Sequence, residues 1–437
     1  VAKLQINPPV YPLCREAFRR ALITGHGRAL IHAENFDVAE YHGEIFTAAT
    51  TCLVYDTQVE GYREWWLARL CQAAGLIDEL INRLPEIPGE GRQRCRLLKE
   101  FYLQGHPEAL PRLYAMCRFS AEFNDVDACD ELIEIDGEKG LIFVARRLGE
   151  TLLADPDFWV SDWELDHFDD LYGEGSAKRI LARAAAENPA IKVYFENVLN
   201  FKERHEQPAK PDDAETVEQV INLINNSTKR ESRLRRWGSR AALEDREEIA
   251  KLLKTELSPI ALTNAVICLN AKGLPTFDET LLGLVFHADE EVSFYATWMF
   301  ANHDEPQVRA AGLALLVNGD LRAGTKMLQL SARSEDAESI LSALAKHPPD
   351  DDDHGTMSNL IQLIEQNDAI QEPLIPLYIY EFSPCMHCRQ RAVEILIQWA
   401  ACPQWLLHEA AKDGSEEIRQ LVEPLDPPTV FLNPQTV

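Results

Sequence analysis

Apolar residues recur along this chain in steps of three and four and almost never in strict alternation. From Leu67 the run is Leu67, Leu70, Cys71, Ala74, Ile77, Ile81 and Leu84, and Val393, Leu396, Ile397 and Ala400 repeat the rule much later. Such spacing paints one apolar stripe along a helix, and a helix with one stripe must bury it against another helix. The expected class is therefore all-α. Leu141-Ile142-Phe143-Val144 could form a buried strand, but Leu148 and the arginines after Val144 fit a helix better.

Proline agrees with this reading. Asp155-Pro156, Asn188-Pro189, Ser258-Pro259 and Ser383-Pro384 each set a capping side chain before a proline and an apolar-periodic run after it. The side-chain oxygen accepts an unpaired backbone N–H, and a proline at the first helical position forfeits no hydrogen bond. These prolines are expected to start helices. Many short helices with tight connections follow.

Three stretches break the pattern. Residues 202–216 are polar, carry Pro208 and Pro211, and read as a linker. Residues 346–356, with Pro348-Pro349 and the run Asp350 to Asp353, read as an exposed loop. The tail after Pro424 holds Pro427, Pro428 and Pro434 and cannot be a long helix. The expected organisation is an N-terminal helical domain over 1–201, a linker over 202–216, helical repeats over 217–425 and an irregular tail over 426–437.

The C-terminal part holds degenerate copies of one pattern. Asp304-Glu305-Pro306-Gln307-Val308-Arg309-Ala310-Ala311 is one copy, and Asp413-Gly414-Ser415-Glu416-Glu417-Ile418-Arg419 is another. Asp289-Glu290-Glu291-Val292-Ser293 has Ser in place of Arg, and Cys388-Arg389-Gln390-Arg391-Ala392-Val393 keeps the core. An acidic turn, an apolar residue, Arg and a small residue resemble the second-helix signature of HEAT-type repeats. The resemblance covers about 217–425 and implies an α-α superhelix, a solenoid of stacked antiparallel helix pairs. It also implies that Arg309, Arg389 and Arg419 join an Asp–Arg ladder between repeats.

Charge limits the partners. Of 437 residues, 71 are Asp or Glu and 43 are Lys or Arg, a formal net charge of −28. Such a chain repels polyanions and suits a protein partner with a basic surface. No stretch of about 18 uncharged apolar residues exists, so no membrane partner is expected. The first residues lack a secretory pattern, and most of the ten cysteines sit in apolar helical runs rather than in a disulfide framework. A reduced, cytoplasmic protein is expected.

Five local features are candidate sites. Cys385-Met386-His387-Cys388 follows Ser383-Pro384 and should occupy the first turn of a helix, where the dipole favours a thiolate. It is a candidate for redox chemistry or half a zinc site, with Cys402 and His408 the nearest further ligands along the chain. The alternative is two small buried side chains. Gly25-His26-Gly27-Arg28 could hold an anion through His26 and Arg28, with Tyr55-Asp56 and Glu60-Gly61-Tyr62-Arg63 sharing the pocket, or the glycines could simply form a turn between helices. Residues 155–170 contain seven acids, no Lys or Arg, and Trp159 and Trp163 four positions apart. This predicts either an acidic, aromatic surface for a basic partner or a sugar, or tryptophans packed in the core, which is the usual fate of Trp at helical spacing. Lys229, Arg230, Arg233, Arg235, Arg236, Arg240 and Arg246 form the one basic stripe, which either contacts phosphate or docks on the chain's own acids. Residues 350–353 with His347 and His354 could hold a divalent cation but lack a calcium-loop pattern.

The primary expectation is a non-catalytic protein-interaction scaffold with no cofactor. The alternatives are a nucleic-acid-binding or DNA-repair helical-repeat protein working through residues 229–246, and a metal- or redox-linked sensor working through Cys385 and Cys388.

Overall fold

The computed structural model describes residues 4–57, 60–88, 91–120, 125–199, 215–347 and 353–425. Among these residues the secondary structure is helical, apart from one antiparallel pairing of Phe119–Ser120 with Asp125–Val126. The all-α class follows, with helices packed against one another in a manner compatible with a helical repeat. Of the loop expected over 346–356, residues 348–352 lie outside the described residues, whereas Lys346 ends the helix Asp336–Lys346 and residues 354–356 begin the helix His354–Gln366; most of the linker and the tail beyond 425 also lie outside the described residues. None of the described helices is long and apolar enough to cross a membrane, and all ten cysteines are free thiols.

The capped prolines divide into two kinds. Pro189 and Pro259 begin the helices Pro189–Leu199 and Pro259–Leu269. Asn188 accepts the Ala190 N–H at 2.9 Å, and Ser258 accepts that of Ala261 at 3.3 Å. Pro156 and Pro384 lie instead in turns that precede the next helix. There Asp155 accepts the Asp157 N–H at 3.1 Å, and Ser383 Oγ accepts the Cys385 N–H at 3.2 Å. Asp and Ser oxygens close such turns as readily as they cap helices, which is why the sequence does not separate the two. Leu141 to Val144 are helical, inside Cys129–Ala154, which breaks at Gly137 (φ 54°).

The chain forms two compact units. The first contains residues 8–199 and 404–425, the second residues 4–7 and 215–403. The boundary read at 425 thus falls near 403. The helix Gln404–Ala410 packs on Gly27–Asn35, and the Gly414 N–H donates to the Gly25 carbonyl at 2.7 Å. The motif over 413–422 therefore belongs to the first unit, and nothing in its local pattern distinguishes it from the copies that stack in the second.

The first unit is built around one core that includes Phe18, Leu30, Ile45, Trp66, Phe101, Leu132, Val144 and Tyr194, all fully or nearly fully buried. In the second unit, Glu290–Phe300 packs on Leu321–Ser331, that helix on His354–Gln366, and that in turn on Met386–Gln398. Pro306–Val317 packs on Asp336–Lys346 in a neighbouring layer. Between these two layer helices the polar ladder is reciprocal. Arg309 donates to both oxygens of Asp336 at 2.7 and 2.6 Å, and Arg333 donates to Asp304 at 2.7 Å. Burial works against the charge of Asp336, yet its bonds to Arg309 and Arg333 hold its carboxyl below the ordinary range. Arg389 is fully buried beside the Tyr380 ring. Arg419 takes another place. It donates to the carbonyls of Asp413 and Gly414 and lies over the Trp65 ring at 4.1 Å.

Candidate acidic aromatic binding cleft

Four segments of the first unit form the three walls of an open cleft of about 580 Å³. The segment after Ala154 is held by the Asp155 turn, where the Phe158 N–H donates to the Asp155 carbonyl at 3.1 Å, and leads through Trp159. Ser161 Oγ then accepts the Trp163 N–H at 3.2 Å where the helix Trp163–Tyr172 begins. Glu164 and Asp166 in its first turn suit the positive end of the helix. The strand residues Asp125–Val126 lead into the second wall, where Asp130 and Glu131 open the helix Cys129–Ala154. Tyr62, before Glu64–Ala73, and Arg92 and Arg96, on Arg92–Leu103, form the third.

Trp159 is 63% exposed and Trp163 57% exposed, so neither belongs to the core. The packed expectation for these two residues is corrected. It assumed one helix face, whereas Trp159 precedes the helix and Trp163 starts it. The Trp163 indole N–H donates to Asp130 at 2.9 Å, and its ring stacks on His167 with centroids 5.9 Å apart.

Six carboxylates line the cleft: Glu60, Asp125, Asp127, Asp130, Glu131 and Glu164. The two lining cations are engaged by carboxylates. Arg92 meets Asp125 at 3.3 Å, and Arg96 lies 3.8 Å from Glu131 and 3.6 Å from Glu64, with its guanidinium over the Tyr62 ring. Burial pushes the carboxyls of Glu131 and Glu164 up to about 7. Glu164 also accepts the Tyr194 hydroxyl at 3.2 Å, which offsets part of that burial. A cation placed in the cleft would favour the charged form of both.

Of the other sequence candidates, only Glu60, Gly61 and Tyr62 line this cleft. His26 precedes Gly27–Asn35 and bonds Thr24, while Arg28 meets a carboxylate of the chain itself, Glu409, at 2.7 Å. Arg28 is 9% exposed and Glu409 fully buried, so this ion pair is sealed. The Arg63 guanidinium packs against Gly25 and donates to the Ile23 carbonyl. Arg63 thus joins the glycine turn to the Glu60-to-Arg63 segment, while Glu60, Gly61 and Tyr62 of that segment line the acidic cleft.

The basic stripe splits. Arg230 pairs with Glu291 and Arg233 with Glu215, each at 2.9 Å. Lys229, Arg236 and Arg240 are exposed on the surface. Arg235 lies over the Trp298 ring, which also carries the Lys326 ammonium 4.1 Å from its centroid. Trp298 and Lys326 line a second, smaller cavity of about 330 Å³ with Phe294, Arg322, Glu290 and Asp320. Burial, assisted by Arg235, lowers the Lys326 amine to about 8.

Cys385 caps the helix Met386–Gln398 and Cys388 lies in its first turn, both buried. Their neighbour is His354, the first residue of His354–Gln366; Cys402 and His408 are outside the group. The Cys385 thiol is held well below its ordinary range, chiefly by its hydrogen bond with Cys388 and also by His354. Residues 350–352 lie outside the described residues, and Asp353 caps the His354–Gln366 helix by accepting the Thr356 N–H at 3.1 Å.

Tyr62, Arg92, Arg96, Asp125, Asp127, Asp130 and Glu131 carry no signal in the sequence as members of the cleft. Only its acidic, aromatic wall over 155–170 stands out. No protein family, curated protein or solved structure was found to match the chain.

Proposed function

We propose that the chain is a non-catalytic interaction protein, a HEAT-like helical-repeat scaffold that captures a basic segment of a protein partner in the acidic, aromatic cleft. The observation that carries this reading is the pair of exposed indoles, Trp159 and Trp163, set among six carboxylates in one cavity. An arginine or lysine side chain gains from both groups at once. Its charge lies over a ring face, and its N–H donors meet carboxylate oxygens. The net charge of −28 adds long-range attraction for a basic partner. The nucleic-acid alternative draws less support, because Arg230 and Arg233 are engaged by Glu291 and Glu215. Calorimetric titration of the full chain with an arginine-rich peptide tests the reading. Saturable binding that is absent for a glutamate-rich peptide and weakened in Trp159→Ala supports it. Equal affinity for the two peptides, or none, overturns it.

A further inference from the structure

The second unit contains a cluster with different chemistry. Nδ1 or Nε2 of His354 and the Sγ atoms of Cys385 and Cys388 all lie within 4.8 Å of one another. The arrangement follows from local structure. Cys385 stands at the cap position of Met386–Gln398, and Cys388 follows one turn later on the same side, so the two thiols face one point. Ser383 fixes the approach, since its hydroxyl accepts the Cys385 N–H and donates to the Cys385 carbonyl, both at 3.2 Å. His354 begins the helix His354–Gln366, which packs directly against Met386–Gln398. Two helix N-termini therefore converge on the same three side chains, and both dipoles favour thiolate over thiol.

We infer that His354, Cys385 and Cys388 form a zinc site. Two thiolates and one imidazole are the donor set that a borderline-soft divalent cation prefers over oxygen-seeking magnesium or calcium. Zinc–sulfur bonds of about 2.3 Å and zinc–nitrogen bonds of about 2.0 Å place donors roughly 3.5–4 Å apart around a tetrahedral ion, a separation these atoms reach by small side-chain rotations. Two thiolates balance the charge of the ion, so the filled site is neutral and suits its buried position, with Cys385 and Cys388 6% and 8% exposed. Among the described residues three protein donors meet here, and the fourth position takes a further ligand, such as water or an added small molecule. The ion would tie two successive helices of the stack at their starts.

The test uses the full chain purified without chelator. Elemental analysis is expected to find one zinc per chain. Replacement by Co²⁺ is expected to give the sulfur-to-cobalt charge-transfer band and the strong visible bands of a tetrahedral site. Cys388→Ser and His354→Asn should each lose stoichiometric zinc while keeping the helical circular-dichroism signal, and Cys402→Ser should retain the ion. If a variant unfolds, the cobalt spectrum of the parent chain still decides the question. A folded parent chain that binds no stoichiometric zinc from buffer containing the ion, or a cobalt form without the charge-transfer band, overturns the inference.

Discussion

Glu131 offers a quantitative test of the cleft, because its carboxyl is buried at a place where the protein gives it incomplete compensation. It is 7% exposed, stands next to Asp130, and has Arg96 no nearer than 3.8 Å. Burial moves its carboxyl from 4.5 to about 7, and a displacement of that size corresponds to about 3 kcal/mol. The sign follows from proton linkage. Between pH 4.5 and 7 the folded chain holds a proton that the unfolded chain has released, so folding weakens as pH rises through that window and levels off above it. Glu131→Gln keeps the shape and removes the titration. The variant is expected to gain stability relative to the parent as pH rises from 5 to 8, by up to about 3 kcal/mol, a figure that already includes the opposing pull of Arg96 and Lys99 on the parent carboxyl. Urea unfolding of both proteins at pH 5, 6, 7 and 8, followed by tryptophan fluorescence, measures it. With two units in the chain, the readout is the pH dependence of the difference between the proteins. Parallel pH profiles would refute the buried-carboxyl argument.

Other perturbations probe the cleft and the joint that closes the first unit. Trp159→Ala should weaken binding of an arginine-rich peptide by about 1 kcal/mol or more, and Arg236→Glu should leave it unchanged, both read by calorimetry. Binding should also tighten from pH 6 to 8, as Glu131 and Glu164 ionise, and weaken with added salt; a flat response to both speaks against carboxylate recognition. Arg28→Met removes one cationic partner of the buried Glu409 and is expected to cost about 3–5 kcal/mol, whereas Arg28→Met combined with Glu409→Leu should recover much of the loss in thermal unfolding. Gly27→Ala would put a Cβ 1.9 Å from the Glu409 carbonyl oxygen, so the 404–425 segment should become sensitive to limited proteolysis. An unchanged cleavage pattern would show that this close approach does not hold the segment.

The period of the apolar residues made the all-α class legible, since burying one stripe per helix is a local requirement that each segment states for itself. The Asp304-to-Arg309 pattern likewise announced a ladder, and Arg309 makes it with Asp336. What a local pattern does not contain is its partner. The motif at 413–422 has the same capping acids and the same Arg, but Gly27 lets the chain near Glu409 approach closely and Arg28 supplies the opposite charge, so the segment packs with the first unit. The cleft was legible by one wall. The acids and tryptophans of 155–170 are dense enough to notice, whereas Asp125, Glu131 and Tyr62 join them only through tertiary packing. Cys385 and Cys388 were visible from their spacing, and their third neighbour, His354, comes from a helix about thirty residues earlier that only stacking brings near.

The central claim is that a basic segment seats between the two exposed tryptophans and the facing carboxylates. Photo-crosslinking an arginine-rich peptide that carries a benzophenone beside its central arginine, followed by mass-spectrometric mapping on the full chain, tests it most directly. The account predicts crosslinks concentrated in residues 125–131 and 159–164 and lost on competition with unlabelled peptide. Competed crosslinks confined to residues 215–403 would contradict it.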